Sequence, residues 1–228
     1  MAKSGEQALE VMSRARWYNN WLFSIIKPKL RGEILEVGSG IGNFTGLLSK
    51  ESNITAIDLE KKYIKKLKSK FKKAVDIGFG DIEKGKYFFK DKKFDTVVAI
   101  NVLEHIKDDF LALDNIYKLL NKGGKLIIIV PAHMFLYSNF DENIGHFRRY
   151  SLASLRNHLN NSGFSIRTLK YLNIWSAVGW FLWMKLLRNK KMPNSPVLIF
   201  DRLGRLLLFF ERYLNPPFGI SVYAVAEK

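Results

Sequence analysis

The chain has 228 residues and no cysteine, and its 37 lysines and arginines outnumber its 21 acidic residues to give a formal net charge of +16. The absence of cysteine excludes disulfides and thiolate metal sites and makes the cytoplasm the expected compartment; we predict no metal site. The charge favours a polyanionic partner, whether nucleic acid, an anionic membrane surface or a phosphorylated substrate. The length suits one α/β domain over residues 1–228.

The first 31 residues are predicted to be mainly helical. Over residues 6–27, Leu9, Met12 and Leu22 recur at a helical period, which predicts one amphipathic leading helix. The same segment is rich in aromatic side chains, namely Trp17, Tyr18, Trp21 and Phe23. These side chains either pack on the domain or cover a ligand site.

A glycine-rich turn at residues 33–44 organises the rest of the chain. The apolar run Ile34–Val37 predicts a buried strand, and the helix is expected from Asn43 onward. Between them stand Gly38, Gly40 and Gly42, which suit a tight turn whose bare backbone touches a ligand. The dinucleotide fingerprint G-x-G-x-x-G fails in both registers. Glu36, just before the turn, would repel a pyrophosphate and suits a cationic ligand.

This acidic-x-Gly-x-Gly-x-Gly motif resembles the first motif of class I S-adenosylmethionine-dependent methyltransferases. The resemblance implies that S-adenosylmethionine is the cofactor and S-adenosylhomocysteine the product. It implies that Glu36 helps hold the methionyl end of the cofactor, together with the turn residues Gly38, Ser39, Gly40 and Gly42. Because the equivalent leading segment covers the cofactor in many members, residues 1–31 are a candidate lid and Tyr18 is a candidate substrate contact.

The second apolar run, Ile54–Ile57, ends at Asp58, twenty residues after Gly38. An acidic side chain at the end of a second parallel strand can accept hydrogen bonds from both ribose hydroxyls. The next residue, Leu59, is expected against the adenine face. A lysine-dense helix follows at residues 60–73, and its charged face is either solvated or binds anions.

The third strand is predicted at Ala74–Ile77, before a Gly80-Asp81-Ile82 turn. In the methyltransferases that the chain resembles, an acidic residue here accepts a hydrogen bond from the adenine amino group. The resemblance therefore implies that Asp81 and Ile82 contact the cofactor. An ordinary Gly-Asp turn is the alternative.

The fourth strand is predicted at Phe94–Ile100, where a nearly continuous apolar run suits a central parallel strand. The Leu-Glu-His-Ile segment behind it resembles what many small-molecule methyltransferases carry at this point. The resemblance places Asn101 and Val102 under the methionyl arm and the sulfonium. His105 is either a general base, since the ordinary pKa of histidine is near neutrality, or a loop residue that orders the end of the strand.

The remaining elements complete the predicted fold. A helix at about residues 109–121 ends at a Gly-Gly pair, and a fifth strand follows at Lys125–Val130. Further strands are predicted at Phe164–Tyr171 and Ile220–Ala226, and the resemblance implies that the last one is antiparallel. Alternating strands and helices therefore predict a Rossmann-like, mostly parallel seven-stranded sheet with helices on both faces.

The segment after Pro131 departs from a plain cofactor fold, because polar and aromatic residues crowd into some twenty positions. A loop of this kind is usually functional, and it follows a strand at the edge where the cofactor is expected. Arginine offers fork-shaped donors to carboxylate or phosphate groups. The candidate substrate contacts are Tyr137, Asp141, Arg148, Arg149 and Tyr150. His133 and His146 are candidates for removing a proton from a hydroxyl.

A purely structural alternative is that Asp141 pairs with Arg148 or Arg149 and ties this loop down. The Gly-His-x-Arg-Arg-Tyr string at residues 145–150 looks like that of a subgroup of small-molecule methyltransferases. That subgroup is associated with glycosyltransferases and with polysaccharide or lipid-linked glycan pathways. The resemblance covers residues 33–171 and 219–228.

Residues 172–218 are predicted to be a helical insertion before the last strand. Leu172–Leu187 is apolar and contains three tryptophans, but it falls short of the roughly 20 residues that a membrane span requires. Val197–Leu214 has an amphipathic helical pattern. Two such helices with basic flanks suit peripheral attachment to an anionic membrane. A hairpin that caps the substrate pocket or forms a dimer seam explains the pattern equally.

The implied function is methyl transfer to an oxygen, less favourably a nitrogen or carbon, of a small, glycan or lipid-linked acceptor. Two alternatives stay open. The charge favours an RNA-directed methyltransferase, although the sequence contains no Asn/Asp-Pro-Pro-Tyr base-flipping motif. A non-catalytic cofactor-binding protein at a membrane surface is the other. The failed fingerprint disfavours a dehydrogenase.

Overall fold

The structure is a computed structural model that describes residues 2–182, 204, 208, 211 and 216–228. The strands are β1 (Ile34–Val37), β2 (Ile54–Asp58), β3 (Asp76–Asp81), β4 (Lys86–Tyr87), β5 (Phe94–Ile100), β6 (Leu120–Pro131), β7 (Ser165–Leu172) and β8 (Ser221–Glu227). The helices are α1 (Ala2–Arg14), α2 (Arg16–Ile26), α3 (Thr45–Leu48), α4 (Lys61–Phe71), α5 (Asp109–Leu119), α6 (Asn139–Ile144), α7 (Leu152–Asn161) and α8 (Ile174–Trp180). Short 3-10 helices lie at Lys27–Lys29, Leu103–His105 and Met134–Leu136.

Within the described ranges, eight strands form one sheet in the order β4-β3-β2-β1-β5-β6-β8-β7. β1 lies at the centre, because Ile34 pairs in parallel register with Ile54 of β2 and with Thr96 of β5. β8 is antiparallel to both of its neighbours, β6 and β7. The predicted mostly parallel sheet with an antiparallel last strand is confirmed, and the two-residue β4 adds an eighth strand at the edge.

Helices cover both faces of the sheet. One face packs against α5 and α7 through side chains such as Ile116 and Leu155. The other face packs against α2 and α4 through Ile26 and Leu67. These side chains are fully buried, whereas the lysines of α4 point away from the sheet and are exposed. The apolar stripe of each helix therefore fixes its orientation on the sheet.

The leading helix predicted over residues 6–27 consists of two helices, so the prediction of one helix is wrong. The chain leaves the helical region at Ala15, where φ is −77° and ψ is 63°. The side-chain amide of Asn19 donates from Nδ2 to the carbonyl oxygen of Met12 at 2.8 Å and satisfies an acceptor at the end of α1. No glycine or proline marks this break, so the apolar period runs through it in the sequence.

The third strand is longer than predicted, because Gly78 and Gly80 lie inside it. A Cβ on Gly78 would lie 2.2 Å from the ring of Phe88, and one on Gly80 would lie 2.6 Å from Ile57. The glycines therefore allow neighbouring side chains to pack on bare backbone within the strand. Asp81 accordingly ends the strand and does not occupy the predicted Gly-Asp turn.

The Gly-Gly pair at residues 123–124 lies inside β6, so it is not the predicted helix stop. The pairing of β5 with β6 shifts at this point, because Phe94 pairs with Leu120 whereas Thr96 pairs with Lys125. The additional residues of β6 leave the ladder as a bulge, and Gly123 there has a φ of 72°. A bulge needs a residue that tolerates this conformation, which explains the glycine.

The strands β1, β2, β5, β6 and β7 all point the same way, so their carboxyl ends meet at one edge of the sheet. The predicted insertion begins at this edge, where β7 is followed by α8. The amphipathic helix predicted at residues 197–214 lies outside the described residues, apart from Gly204, Leu208 and Glu211. No helix in the described part of the chain is long and apolar enough to cross a membrane.

Candidate functional site

The turn after β1 requires glycine for conformation and for space. All three of its glycines have positive φ: 70° at Gly38, 52° at Gly40 and 85° at Gly42. A Cβ on Gly38 would lie 2.6 Å from Val102, and one on Gly42 would lie 2.5 Å from Leu67. No other residue fits both conditions without strain. The helix expected directly after this turn begins later, at α3, and has only four residues.

Asp58 at the end of β2 accepts hydrogen bonds from the neighbouring backbone. Its Oδ2 accepts a hydrogen bond from the Gly40 amide at 2.7 Å, and its Oδ1 accepts one from the Glu60 amide at 2.8 Å. Asp58 is 8% exposed. Burial raises the pKa of its carboxyl, although these two hydrogen bonds lower it. Each carboxylate oxygen still has a free lone pair, so Asp58 can accept further hydrogen bonds at the carboxyl edge.

Glu36 is the acidic residue of the glycine motif, and it is buried in β1. Its Oε2 accepts a hydrogen bond from the Thr45 hydroxyl at 2.6 Å. Burial raises the pKa of Glu36 to about 8, against that hydrogen bond, which lowers it, while the charge of Asp58 raises it further. Without a cation beside it, Glu36 is therefore largely protonated at neutral pH.

The predicted adenine contacts have different environments. Leu59 is 57% exposed and offers free apolar surface at the rim. Asp81 is buried, and its Oδ1 accepts a hydrogen bond from the Lys84 amide at 3.0 Å. Ile82 is also buried, in the core beside α5. The structure thus brings Leu59 and Asp81 to the ends of neighbouring strands, and their contact with a cofactor stays a prediction.

Asn101, Val102 and Ser39 form the floor behind the turn. Asn101 has a φ of 53°, and its amide donates to the carbonyl oxygen of Ile129 at 2.8 Å. Val102 touches Gly38, as the short distance to a Cβ on that glycine shows. The Ser39 hydroxyl is buried and has no hydrogen-bond partner among the residues that the structure describes. A buried hydroxyl without a partner is costly, which points to a ligand atom there.

The first helix lies over the glycine turn. A Cβ on Gly40 would lie 3.4 Å from the side chain of Leu9, and the side-chain amide of Asn43 donates to the carbonyl oxygen of Leu9 at 3.2 Å. An ion pair of 2.7 Å between Glu6 and Lys62 ties the same helix to α4. The leading segment therefore covers the turn, as a lid would. Its movement as a lid stays a prediction.

Two surface grooves are lined by residues outside the predicted site. One, of about 410 Å³, is lined by residues such as Lys27 and Arg31 next to the start of β1. The other, of about 440 Å³, runs along β7. Neither groove contains a predicted site residue, so the candidate site is defined by the side chains and backbone of the carboxyl edge.

In the loop after β6, Asp141 and Arg149 form a buried pair. The Nε and Nη2 of Arg149 donate to the two carboxylate oxygens of Asp141 at 2.9 and 3.0 Å. Ser138 donates to the same carboxylate through its amide and its hydroxyl, each at 2.9 Å. Burial alone would raise the pKa of Asp141, but the hydrogen bond from His146 and the charge of Arg149 hold it below the ordinary value. The structural alternative for this pair is confirmed, and its substrate contact stays a prediction.

Arg148 and Tyr150 have a second carboxylate as partner, Asp109. The Nη1 of Arg148 lies 2.6 Å from Asp109 Oδ1, and the Tyr150 hydroxyl donates to Asp109 Oδ2 at 2.6 Å. Nε2 of His158 is 3.3 Å from the same carboxylate. Tyr150 is buried and Arg148 is partly exposed, so only Arg148 keeps free surface toward solvent.

His146 and His105 lie beside a buried carboxylate, that of Glu104. Nδ1 of His146 lies 2.9 Å from Asp141 Oδ1, and Nε2 lies 3.8 Å from Glu104 Oε1. The ring of His105 meets that of His146 edge-on, with 4.5 Å between the ring centroids. Partial loss of water around the ring and the charge of His146 lower the pKa of His105, while part of the residue stays exposed to solvent. Two of the three predicted base candidates therefore share one site.

The third candidate, His133, lies in a separate aromatic stack. Its ring centroid is 4.2 Å from that of Phe218 and 4.6 Å from that of Tyr171. Burial lowers its pKa, and Nε2 has no hydrogen-bond partner within the described ranges. The hydroxyl of Tyr137 donates to the carbonyl oxygen of His146 at 2.7 Å and supports the loop from that side.

Tyr18 lies on α2, which is attached to the region that follows β7. Burial raises the pKa of the Tyr18 hydroxyl to about 12, and Asn173 hydrogen-bonds to it. The indole of Trp21 donates to the carbonyl oxygen of Leu208 at 3.1 Å. These contacts place Tyr18 near the carboxyl end of β7, and its role in substrate binding stays a prediction.

Sequence reasoning misses two buried carboxylates, Glu104 and Asp109. Glu104 belongs to the Leu-Glu-His-Ile segment, in which only the histidine was considered for chemistry. A glutamate that follows two apolar residues, Val102 and Leu103, just after a central strand is a signal that could have found it. Asp109 pairs with Arg148 from 39 positions away, and no local pattern indicates such a contact.

A family model described as a methyltransferase domain matches residues 13–169, which is more than half of the chain. The chain therefore belongs to this family of methyltransferase domains. The uncharacterized protein MJ0638 of Methanocaldococcus jannaschii is 35% identical over 97 residues, which is 42% of this chain. Those residues are 40% of MJ0638, so the chain spans less than half of that relative.

Solved structures share the fold at low identity. An S-adenosylmethionine-dependent methyltransferase from Mesorhizobium loti has a TM-score of 0.59 at 12% identity, covering 86% of this chain and 90% of that one. The N-methyltransferase NodS from Bradyrhizobium japonicum WM9, in complex with S-adenosyl-L-homocysteine, has a TM-score of 0.57 at 16% identity, covering 92% and 84%. The predicted family, its fold and its cofactor, S-adenosylmethionine, are confirmed at the level of the family.

Proposed function

We propose that this chain transfers the methyl group of S-adenosylmethionine to an oxygen, less favourably a nitrogen or carbon, of a small, glycan or lipid-linked acceptor. Family membership supports the transfer. The observation that carries the choice of oxygen is the pair formed by Glu104 and His146, whose Oε1 and Nε2 lie 3.8 Å apart. Glu104 comes two residues after Val102, which touches the glycine turn. An acceptor hydroxyl that reaches the turn would lie near groups able to take its proton.

The residues at the carboxyl edge fit the cofactor. When bound, S-adenosylmethionine supplies a methyl group on a positively charged sulfur. Asp58 keeps lone pairs for the ribose hydroxyls, and Leu59 offers exposed apolar surface for the adenine. Ser39 has a buried hydroxyl that lacks a partner in the described structure. The buried carboxyl of Glu36 can compensate a positive charge once it loses its proton.

The contribution of the protein to the reaction is mainly alignment of the two reactants. The glycine turn and Val102 fix the floor, and α1 covers the turn and limits access of water. The bond from the methyl carbon to sulfur would break as the bond to the acceptor oxygen forms, which leaves S-adenosylhomocysteine. The proton of the acceptor would pass to the cluster of Glu104, His105 and His146. Asp141 orients His146 for this role through the contact at Nδ1.

Exposed apolar side chains on α8 favour an acceptor that has an apolar part. On one side of this helix, the indole of Trp180 donates to the carbonyl oxygen of Leu136 at 3.2 Å, and its ring lies 4.7 Å from the guanidinium carbon of Arg149. On another side, Trp175 and Val178 are 48% and 55% exposed. Apolar surface beside the acid-base loop suits an acceptor that carries a lipid chain.

The test is transfer of a labelled methyl group from S-adenosylmethionine into a fractionated cell extract. We expect label in the lipid, glycan or small-molecule fraction with the full chain and with the surface control Glu51→Gln. We expect it to be lost with Asp58→Asn. Label in RNA would support the RNA-directed alternative instead. Absence of label from every fraction would favour the non-catalytic alternative and overturn the proposal.

A further inference from the structure

Three potential metal ligands converge after β5. A carboxylate oxygen of Glu104, a ring nitrogen of His105 and a ring nitrogen of His146 all lie within 4.8 Å of one another. Ligand atoms that share one Zn²⁺ at about 2.0–2.1 Å can be at most about 4 Å apart. The widest pair therefore needs to close by less than about 1 Å, which side-chain rotation can supply.

The partner of Nδ1 determines which ring nitrogen His146 presents to this cluster. Nδ1 lies 2.9 Å from Asp141 Oδ1, and Asp141 is itself held by Arg149 and by Ser138. A proton on Nδ1 leaves the lone pair on Nε2, which points at Glu104 from 3.8 Å. Metal-binding histidines almost always have such a carboxylate or carbonyl partner on the second nitrogen.

Glu104 lacks a compensating partner. Its exposure is 0%, and neither carboxylate oxygen accepts a hydrogen bond from another described residue. The nearby Arg149 donates to Asp141 and to the carbonyl oxygen of Ala132, and gives no hydrogen bond to Glu104. Buried carboxylates are normally paired, hydrogen-bonded or bound to a metal. A cation between Glu104 and the two histidines would give the carboxylate of Glu104 and the free Nε2 of His146 a common partner.

The side of the cluster at His105 is open to solvent, which gives an ion a route in. Nδ1 of this ring faces Gly145, 4.0 Å from the position of a Cβ on that glycine. The other ring nitrogen is then available to the cluster. Two imidazoles and one carboxylate favour Zn²⁺ and similar transition metals over Mg²⁺ and Ca²⁺, which prefer oxygen ligands.

We propose that Glu104, His105 and His146 bind one divalent transition-metal ion, with Zn²⁺ as the best match, and leave at least one coordination position open. Such a site goes beyond the metal-free expectation from the sequence. An ion at an open site can bind an acceptor oxygen and lower the pKa of its hydroxyl. With the ion bound, the three side chains act as ligands, and the proton of the hydroxyl passes to solvent on the exposed side of His105. This catalytic role rests on the proposed function, whereas binding of the ion does not.

The test measures binding of Co²⁺ to the full chain after removal of bound metals with a chelator. We expect one equivalent of Co²⁺, with visible absorption bands of a protein-bound ion, and displacement by Zn²⁺. Glu104→Gln and His146→Asn should each weaken binding by about tenfold or more, since each removes a direct ligand. Glu51→Gln and His158→Gln remove a carboxylate and a histidine outside the cluster and should bind as the unaltered chain does.

Thermal unfolding provides a second readout. A chelator should lower the Tm of the metal-loaded chain and leave that of Glu104→Gln unchanged, while circular dichroism checks that the variant is folded. The proposal is overturned if the chain binds no stoichiometric Co²⁺ or Zn²⁺, or if the cluster variants bind as tightly as the two controls. Methyl transfer that persists without bound metal would remove only the catalytic role.

Discussion

Binding of S-adenosylmethionine is expected to release a proton from Glu36. Burial raises the pKa of this carboxyl to about 8. The ligand carries positive charges on its sulfur and its amino group, so it should bind the ionised carboxylate and favour loss of the proton. The affinity for S-adenosylmethionine should therefore increase as the pH rises toward 8 and level off above it.

The magnitude follows from the ionised fraction. With a pKa of about 8, about one tenth of Glu36 is ionised at pH 7 and about nine tenths at pH 9. Affinity should therefore increase about tenfold between these pH values, which corresponds to about 1.4 kcal/mol. At pH 7, binding should release about 0.9 proton per ligand.

Isothermal titration in two buffers of different ionisation enthalpy measures the released protons. Glu36→Gln keeps the shape of the side chain and removes its ionisation, so the variant should release almost no proton and show a flat pH profile. An unaltered chain with no buffer dependence at pH 7 would refute the reasoning. Equal proton release by Glu36→Gln would assign the proton to another group.

The remaining predictions concern the ribose contact, the turn, the buried pair and acid stability. Asp58→Asn should weaken both S-adenosylmethionine and S-adenosylhomocysteine about tenfold or more, because hydrogen bonds to a charged group contribute about 1.5–3 kcal/mol; unchanged affinities in equilibrium titration would remove the ribose assignment. Gly38→Ala should lower the free energy of unfolding in urea by about 1–3 kcal/mol, because the Cβ overlaps a valine and φ is positive; full stability would contradict this. Arg149→Leu should cost about 3–5 kcal/mol in the same assay because the buried Asp141 loses its arginine partner, and adding Asp141→Asn should recover part of the loss; additive losses would count against the pairing. Burial raises the pKa of Asp109, but hydrogen bonds from His158, Tyr150 and Arg148 hold this pKa below its ordinary 3.8. The contribution of Asp109 to stability is therefore present above that pH and lost as the pH falls further; thermal unfolding of Asp109→Asn should show a flatter acid limb, and an unchanged limb would disprove this.

Local signals made the cofactor side of the fold predictable. Ile34–Val37 is apolar and followed by glycines at alternate positions, and this pattern requires only neighbouring residues. Asp58 is recognisable because it ends the next apolar run. Each of these residues lies where the sequence analysis expects it, at the end of a parallel strand. Alternation of strands and helices predicts the mostly parallel sheet with helices on both faces for the same reason.

Contacts between distant segments were not predictable. Gly78 and Gly80 suggest a turn in the sequence, yet they are needed because Phe88 and Ile57 pack against the strand. The break at Ala15 has no local marker, since the side chain that compensates it comes four residues later. Residue type and spacing do not encode such packing, and only the folded chain shows it.

The acid-base loop shows the same limit at the functional site. The sequence predicts a functional loop here and leaves open that Asp141 pairs with Arg148 or Arg149. The choice between Arg148 and Arg149 depends on Asp109, which takes Arg148 and leaves Arg149 to Asp141. The sequence does not single out Glu104, because only the folded loop brings His146 beside its carboxylate.

The most direct test is a crystal structure of the full chain with S-adenosylhomocysteine. We expect both ribose hydroxyls within about 3 Å of the Asp58 carboxylate, the adenine against Leu59 and the amino group of the methionyl end beside Glu36. A ligand bound away from the carboxyl ends of β1 and β2, or a glycine turn still closed by Leu9 with the ligand elsewhere, would contradict the assignment of this edge as the cofactor site.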